Sequence, residues 1–428
     1  MTETVPTPSA PLRDMCPLGD ALQPSRDVLP SRDVLLSSDF LRILAVQFTI
    51  GFGFSIYFLL PKYLAVELKA DAITIGTLSS TPALAAVLAS PWIGPLLDRR
   101  GRRKPLLAGG LLAGAASLVL LANPSWIALL YAIRIAQGVG FGLCFNAAAA
   151  LVADLAPTAR LGQAMGLLGG ASLITNAIAP AVCESIAHAW GYTPVFALAS
   201  ATIVLGVMIA STLPTERPPP VSLAGALPGA RDTGLYFASF VAGAAFGTLI
   251  TFTQPFALEL GATRVSGYLL GYTVGALFVR VGFGRIADVY GRRRIAALAL
   301  GVYGVVAFAT SQLQPAWLLL FGVAFGLAHG VLYPALAALA AEGSAASRRG
   351  RALTRLNASF NLGTGAMLLI GGRIAQWLGY PGLFTSAGLG IAACALLFHL
   401  SPRRTSSNDW IVGESRPSPD RPASSHPS

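Results

Sequence analysis

Residues 94–104 read GPLLDRRGRRK, and residues 284–294 read GRIADVYGRRR. The two stretches share the pattern G-x-x-x-D-x-x-G-R-R at an offset of 190 residues. A second pair of similar stretches, around Gly191 and Gly379, repeats at an offset of 188, and Asp154 and Glu342 share that offset. Two motifs in register indicate that the chain consists of two related halves.

The composition around these motifs is typical of a membrane protein. Of the 428 residues, 54% are hydrophobic and only 11% are charged, whereas soluble chains carry about 25% charged residues. Because one membrane-crossing helix needs about 20 apolar residues, the apolar content suffices for about eleven or twelve of them. A soluble enzyme is therefore excluded. An outer-membrane barrel is disfavoured, because its strands alternate apolar and polar residues.

We predict an all-α integral membrane protein with twelve transmembrane helices in two pseudo-symmetric six-helix bundles. The predicted spans are 42–62, 73–97, 105–123, 126–152, 162–188, 193–213, 233–257, 265–287, 295–312, 315–341, 351–377 and 380–400. The proline-rich connection 214–232 cannot continue a helix, so it separates a bundle at 38–213 from one at 233–402. The polar segments 1–37 and 403–428 are predicted to be disordered cytoplasmic tails.

The distribution of basic residues predicts the orientation. The net charge is +11, and with both termini in the cytoplasm 23 of the 30 basic residues fall on the cytoplasmic side. Cytoplasmic loops of membrane proteins carry such an excess of Lys and Arg. We therefore expect a multi-pass protein of the cytoplasmic (inner) membrane with both termini and the linker inside, and no nucleic-acid partner.

The repeated loop pattern resembles the signature loop of the major facilitator superfamily. A further stretch, Arg134-x-x-Gln137-Gly138-x-Gly140, is similar to the fourth-helix motif of the drug-efflux branch. The resemblance covers about residues 40–402. It implies two six-helix bundles around a central cavity that opens alternately to the two sides of the membrane.

The loop residues are candidates for a conformational latch. Glycines at these positions let two helices approach closely, and an aspartate where a helix meets the cytosol can accept hydrogen bonds from arginine or from a helix N-terminus. The latch candidates are Gly94, Asp98, Gly101, Arg102, Gly284, Asp288, Gly291 and Arg292. The alternative is a loop whose basic residues only set topology, which we favour for Arg99, Arg100 and Lys104.

Polar residues inside the predicted helices are candidates for substrate binding or ion coupling, because a buried charge costs about 2.5–3.5 kcal/mol on insertion scales. Arg134 either faces the cavity or snorkels. Glu184 is a proton-coupling candidate or a carboxylate at the outer water interface, and His329 is a titrating or a structural histidine. The further cavity candidates are Gln47, Asn146 and Tyr236, although such residues also hold helices together.

Two features weaken a direct prediction of proton antiport. The first predicted helix contains no carboxylate, whereas many drug/proton antiporters of the resembled family have one there. The sequence APAVCE at 179–184 departs from the Gly-Pro-x-x-Gly-Gly signature of the fifth helix in antiporters.

The first functional prediction is a secondary transporter that works by alternating access and exports a small amphipathic or apolar compound, with protons as the candidate coupling ion. Within transport, the alternative is a permease or exporter for a metal, a metal chelate or siderophore, or another metabolite. From another class, the alternative is a transport-inactive membrane scaffold or sensor. No catalytic or nucleotide-binding motif is present, so we expect no enzyme activity, no cofactor and no metal site. The expected partners are the substrate, protons and the lipid bilayer, and a monomer is the default.

Overall fold

The computed structural model describes residues 37–122, 126–156, 160–214, 233–282, 290–342 and 349–400. The helices are α1 (Ser38–Ser55), α2 (Leu60–Val66), α3 (Ala72–Arg100), α4 (Arg103–Val119), α5 (Ile127–Leu155), α6 (Leu161–Trp190), α7 (Thr193–Ser211), α8 (Thr233–Glu259), α9 (Ser266–Gly282), α10 (Arg292–Thr310), α11 (Leu318–Glu342) and α12 (Arg349–Leu400). The predicted linker and most of both predicted tails lie outside the described residues.

The first span has a tightened turn in its middle. Ser37 caps α1 by accepting a hydrogen bond from the backbone N–H of Phe40. A 3₁₀ turn, Ile56–Leu59, joins α1 to α2, which has Pro61 in its first turn. Because a proline in the first turn of a helix removes no intrahelical hydrogen bond, the chain continues as one span from Ser38 to Val66 rather than ending near residue 62.

The described helices account for twelve membrane crossings. Ten of them are long and apolar enough to span a bilayer, and the last of these, Ala352–Leu400, is 49 residues long. Gly379 breaks its helical geometry with a φ of 70°, so α12 consists of two antiparallel spans. The shorter helix α9, with 17 described residues, supplies the remaining crossing. The prediction of an all-α, twelve-span protein is confirmed.

The helices form two halves. Helices α1–α7 pack mainly among themselves, with α1 against α7 and α4 against α5. Helices α8–α12 do the same, with α8 against α12 and α9 against α11. In the second half the packing is close enough to require glycine. A Cβ on Gly243 of α8 or on Gly363 of α12 would collide with a main-chain carbonyl of the other helix.

The two ends of the molecule differ in their side chains. We call one end the basic end, where residues 99–104 and 292–294 lie, and the opposite one the far end, where residues 67–71 and 259–266 lie. Four exposed tryptophans mark the helix termini of the far end, as expected where helices leave a bilayer. They are Trp126, Trp190, Trp317 and Trp377.

Candidate functional site

The far end is closed by a buried carboxylate that joins the two halves. Glu184, near the end of α6, is only 2% exposed. Its Oε1 accepts a hydrogen bond from the backbone N–H of Val265, and its Oε2 accepts one from the N–H of Ser266, each at 2.7 Å. These are the N–H groups of the residue before α9 and of its first residue, and neither has a partner within that helix. A side chain of the first half therefore caps a helix of the second half.

A lysine completes this contact, which we call the far-end seal and define as Lys62, Glu184 and residues 263–266. The Nζ of Lys62 donates to the Oε1 of Glu184 at 2.6 Å and to the carbonyl oxygen of Thr263 at 2.8 Å. Both charges are therefore compensated in a buried place, which is the condition for a buried ion pair to be stable. Of the two alternatives for Glu184, a carboxylate in contact with outer water does not fit this burial.

Other contacts between the halves lie at the same end. The Nε2 of Gln254 on α8 donates to the carbonyl oxygen of Phe58 at 2.7 Å. Near its start, α3 packs on α12 so closely that a Cβ on Gly76 would meet the backbone of Leu368. Toward the basic end, Leu88 and Trp92 of α3 are 69% and 73% exposed, on sides of the helix turned away from Gly76. The backbones of α3 and α12 thus approach each other closely at the far end.

Arg134 lies on α5, about 10 Å from its start at the far end. Its Nη1 donates to the Oε1 of Gln137 at 2.7 Å, and the guanidinium carbon lies 5.5 Å from the ring centroid of Tyr57. Its Nε makes a long contact of 3.4 Å with the carbonyl oxygen of Leu78. That carbonyl lies four residues before Pro82, which has no N–H to occupy it. The arginine is therefore held by neighbouring helices instead of snorkelling.

The other polar candidates of the first half join α1 to α6 or remain on their own helix. Gln47 donates to the hydroxyl of Ser172 at 2.9 Å. Ser55 donates to the Oδ1 of Asn176 at 2.8 Å. Asn146 donates to the carbonyl oxygen of Gly142, one turn earlier on α5. These side chains are half-buried apart from Ser55, which is buried.

His329 lies midway along α11 inside an aromatic cluster of the second half. Its Nδ1 is 2.5 Å from the hydroxyl of Tyr303 on α10. The rings of Phe246, Tyr272 and Phe360 lie with their centroids 5.2–6.1 Å from the imidazole. The histidine is buried, and a buried ring with a hydroxyl partner has the surroundings of a structural histidine. Tyr236, on α8, is half-buried.

The loop motif at the basic end is only partly within the described residues. Gly284 and Asp288 lie outside them, and of Asp98 only the main chain is described. Gly101 and Gly291 have φ values of 73° and 92°, a region that residues with a side chain rarely adopt. No neighbouring atom lies within 4 Å of the place where a Cβ on Gly94 would stand.

Two ion pairs occupy equivalent places in the two halves. Arg102 Nε lies 3.2 Å from Asp154 Oδ2, and Arg292 Nη1 lies 2.5 Å from Glu342 Oε1. Each pair ties the start of one helix to the end of the next helix, within the same half. The sequence offsets of 190 and 188 place the four residues in register, but they did not reveal the pairing. Sequence reasoning also missed Lys62 as the partner of Glu184.

Within the described residues, no group of three His, Cys, Asp or Glu side chains lies close enough together to hold a metal ion.

Comparison with known proteins agrees with this arrangement. The Major Facilitator Superfamily sequence model matches residues 43–279 and 235–424. The multidrug resistance protein MdtG of Dickeya zeae is 27% identical over 355 residues, which cover 78% of this chain and 86% of that protein. The multi-drug resistance efflux pump PmrA of Streptococcus pneumoniae is 26% identical over 363 residues, covering 80% and 89% of the two chains.

Solved transporter structures share the fold. A POT family transporter in complex with 5-aminolevulinic acid superimposes with a TM-score of 0.74 at 12% identity, covering 84% of this chain and 94% of that one. The nucleoside transporter NupG superimposes with a TM-score of 0.69 at 12% identity, covering 84% and 98% of the chains. The chain belongs to the major facilitator superfamily, as its paired loop motifs and its two packed halves indicate.

Proposed function

We propose that the protein is a secondary transporter that exports small amphipathic or apolar compounds across the cytoplasmic membrane by alternating access. The observation that carries this proposal is the contact between the halves at the far end, made by the seal around Glu184 and by the close packing of α3 on α12. Two rigid halves closed at one end are the arrangement that alternating access requires. The names of the relatives MdtG and PmrA support export as the direction.

The proposed orientation places the basic end and both termini in the cytoplasm, because Lys and Arg concentrate in cytoplasmic loops. The far-end seal then faces outward. A single cysteine at position 222, in the connection between the halves, should resist an impermeant maleimide in intact cells and react after permeabilisation. Efficient reaction in intact cells would contradict this orientation.

The transport test is flux in proteoliposomes with an imposed pH gradient and a panel of amphipathic compounds. A membrane potential of 100 mV supplies about 2.3 kcal/mol per charge, so one proton could concentrate a substrate about 50-fold. Accumulation that requires both the protein and the gradient is the expected result. A scaffold or sensor would move none of the compounds.

Glu184 is the first candidate for proton coupling, because it is the buried carboxylate of the described spans and its charge holds the seal. Protonation would remove the attraction to Lys62 and weaken the bonds from the α9 amides, so the far end could open. Glu184→Gln should abolish accumulation driven by a pH gradient while downhill exchange continues. If the variant still concentrates substrate, the coupling group lies elsewhere.

The glycine, aspartate and arginine residues of the repeated loops are proposed to form the latch of the basic end. Asp98→Asn should reduce transport more than Arg100→Gln at equal abundance in the membrane, because the proposed latch needs the carboxylate as a hydrogen-bond acceptor, whereas Arg100 is an exposed charge at the end of α3. Equal activity of Asp98→Asn and the unaltered protein would remove Asp98 from the mechanism.

A further inference from the structure

Arg280 is an arginine within a membrane span that takes part neither in the far-end seal nor in the proposed latch. It lies on α9, about 21 Å from the first residue of that helix at the far end, which is deep within a hydrocarbon core of about 30 Å. Its Nε is buried and has no hydrogen-bond partner. Arg134, by contrast, is held by Gln137 and Tyr57. A buried donor without a partner is costly and rare in native proteins.

The guanidinium of Arg280 lies between the two halves. Its Nη1 is 3.6 Å from the place where a Cβ on Gly169 of α6 would stand. On the same helix, no atom lies within 4 Å of the corresponding places on Gly166, about one turn before, and on Gly170, the next residue. The surface of α6 beside this contact is therefore open.

The charges of the described spans leave this region positive. The described carboxylates all lie near helix ends: Asp39, Asp154 and Glu342 at the basic end, and Glu67, Asp71, Glu184 and Glu259 at the far end. Arg134 and Arg280 occupy the interior, where each charge costs about 2.5–3.5 kcal/mol on insertion scales. Among the described carboxylates, none forms an ion pair with either arginine.

Aromatic side chains of the second half surround the same region. Arg280 lies within electrostatic range of Tyr272 and Tyr333. Tyr333 is half-buried and packs on Phe360, which packs on Phe246, with ring centroids 5.5–5.6 Å apart in both contacts. The hydroxyl of Tyr333 donates to the Oδ1 of Asn357, and this leaves the amide hydrogens of Asn357 as further donors.

We propose that the exported compounds include amphipathic organic anions, whose carboxylate or sulfonate binds Arg280 and whose apolar body packs on Phe246, Tyr333 and Phe360. The inference rests on the proposed export function and gives its substrate a charge. An anion supplies the acceptors that the guanidinium lacks, and charge-assisted bonds to arginine are the strong ones. It also compensates the positive charge inside the membrane.

Equilibrium binding to the purified full-length protein tests the proposal with three probes of nearly equal shape: naphthalene-2-sulfonate, 2-naphthylmethanol and (2-naphthylmethyl)trimethylammonium. The sulfonate should bind at least tenfold more tightly than the other two. Arg280→Gln should weaken sulfonate binding about 10- to 100-fold, the range expected for a hydrogen bond to a charged group, and leave alcohol binding within twofold. Arg280→Lys should lie between.

The matched control is Arg373→Gln, which removes one arginine from an exposed position of α12 at the far end and should leave all three affinities unchanged. Sulfonate binding that is undiminished in Arg280→Gln, or no tighter than that of the alcohol or the ammonium probe, would overturn the proposal. If Arg280→Gln does not fold, Arg280→Lys and the ranking of the probes on the unaltered protein decide.

Transport separates this inference from the function on which it rests. Export of neutral and cationic amphiphiles without export of the sulfonate would leave the exporter proposal standing and overturn the anion site. A lack of flux for all compounds, together with sulfonate binding that depends on Arg280, would overturn export and keep the site.

Discussion

The far-end seal makes a prediction whose size follows from its geometry. Glu184→Gln keeps the shape of the side chain and removes its charge. The hydrogen bonds from Lys62 and Val265 to Oε1 become bonds to a neutral amide oxygen, and the bond from Ser266 to Oε2 is lost because an amide NH2 group cannot accept it. A bond to a charged group contributes about 1 kcal/mol more than a neutral one. The loss of about 3 kcal/mol in total would shift the equilibrium toward the open far end by about 150-fold.

The assay measures the rate at which an impermeant maleimide reaches a cysteine inside the seal. Val265→Cys is suitable, because Val265 is fully buried and its backbone N–H remains available. The variant is built without the four native cysteines. In cells, Glu184→Gln should raise the labelling rate by at least tenfold, allowing for the amide's remaining bonds.

The matched control is Glu259→Gln, which removes an exposed carboxylate at the same end of the molecule and should not change the labelling rate. Lys62→Gln should raise the labelling rate as well. The rate increase of the double variant should be smaller than the product of the two single increases, because the two residues share one contact. A labelling rate in Glu184→Gln within twofold of the unaltered background would refute the assignment of Glu184 to the seal.

Three further variants test the packing and the charged contacts. Gly363→Ala should reduce the amount of folded protein in size-exclusion chromatography, because its Cβ would collide with a carbonyl of α8, whereas Gly390→Ala, with open space at its Cβ, should not. Arg134→Gln should lower thermal stability by about 1–3 kcal/mol, because buried acceptors lose their donor; an unchanged melting temperature would contradict the contacts described. Arg292→Glu should slow transport less than fivefold, since exposed ion pairs contribute about 0–1 kcal/mol, and Glu342→Arg in the same chain should restore the rate.

The spans were predictable from sequence because hydrophobicity over about 20 residues determines a membrane crossing regardless of distant contacts. The exact ends of the helices were less predictable from the sequence. Three prolines, at 82, 91 and 95, lie inside α3 without ending it, because neighbouring helices can satisfy the carbonyls that proline leaves free. The contact of Arg134 with Leu78 is one such case.

The candidate site was predictable in its residue types but not in its contacts. A charged side chain within a membrane span is costly, and this cost alone identified Glu184 and Arg134 as candidate functional residues. The partners of Glu184 lie 81, 82 and 122 positions away in the chain. Only the folded packing of α1, α6 and α9 brings them together. Arg280 carries a third charge within a span, and its place between the halves follows only from the folded contact with Gly169 of α6.

Two of the partners of Glu184 are main-chain N–H groups at the start of α9, which has a consequence for mutational tolerance. Every amino acid except proline carries the same N–H, so a substitution at position 265 or 266 that the buried packing accepts leaves both donors in place. A proline scan through 264–267 should therefore find the contact where an alanine scan would pass over it. Related chains could also diverge at this helix start while the acidic residue opposite stays the same.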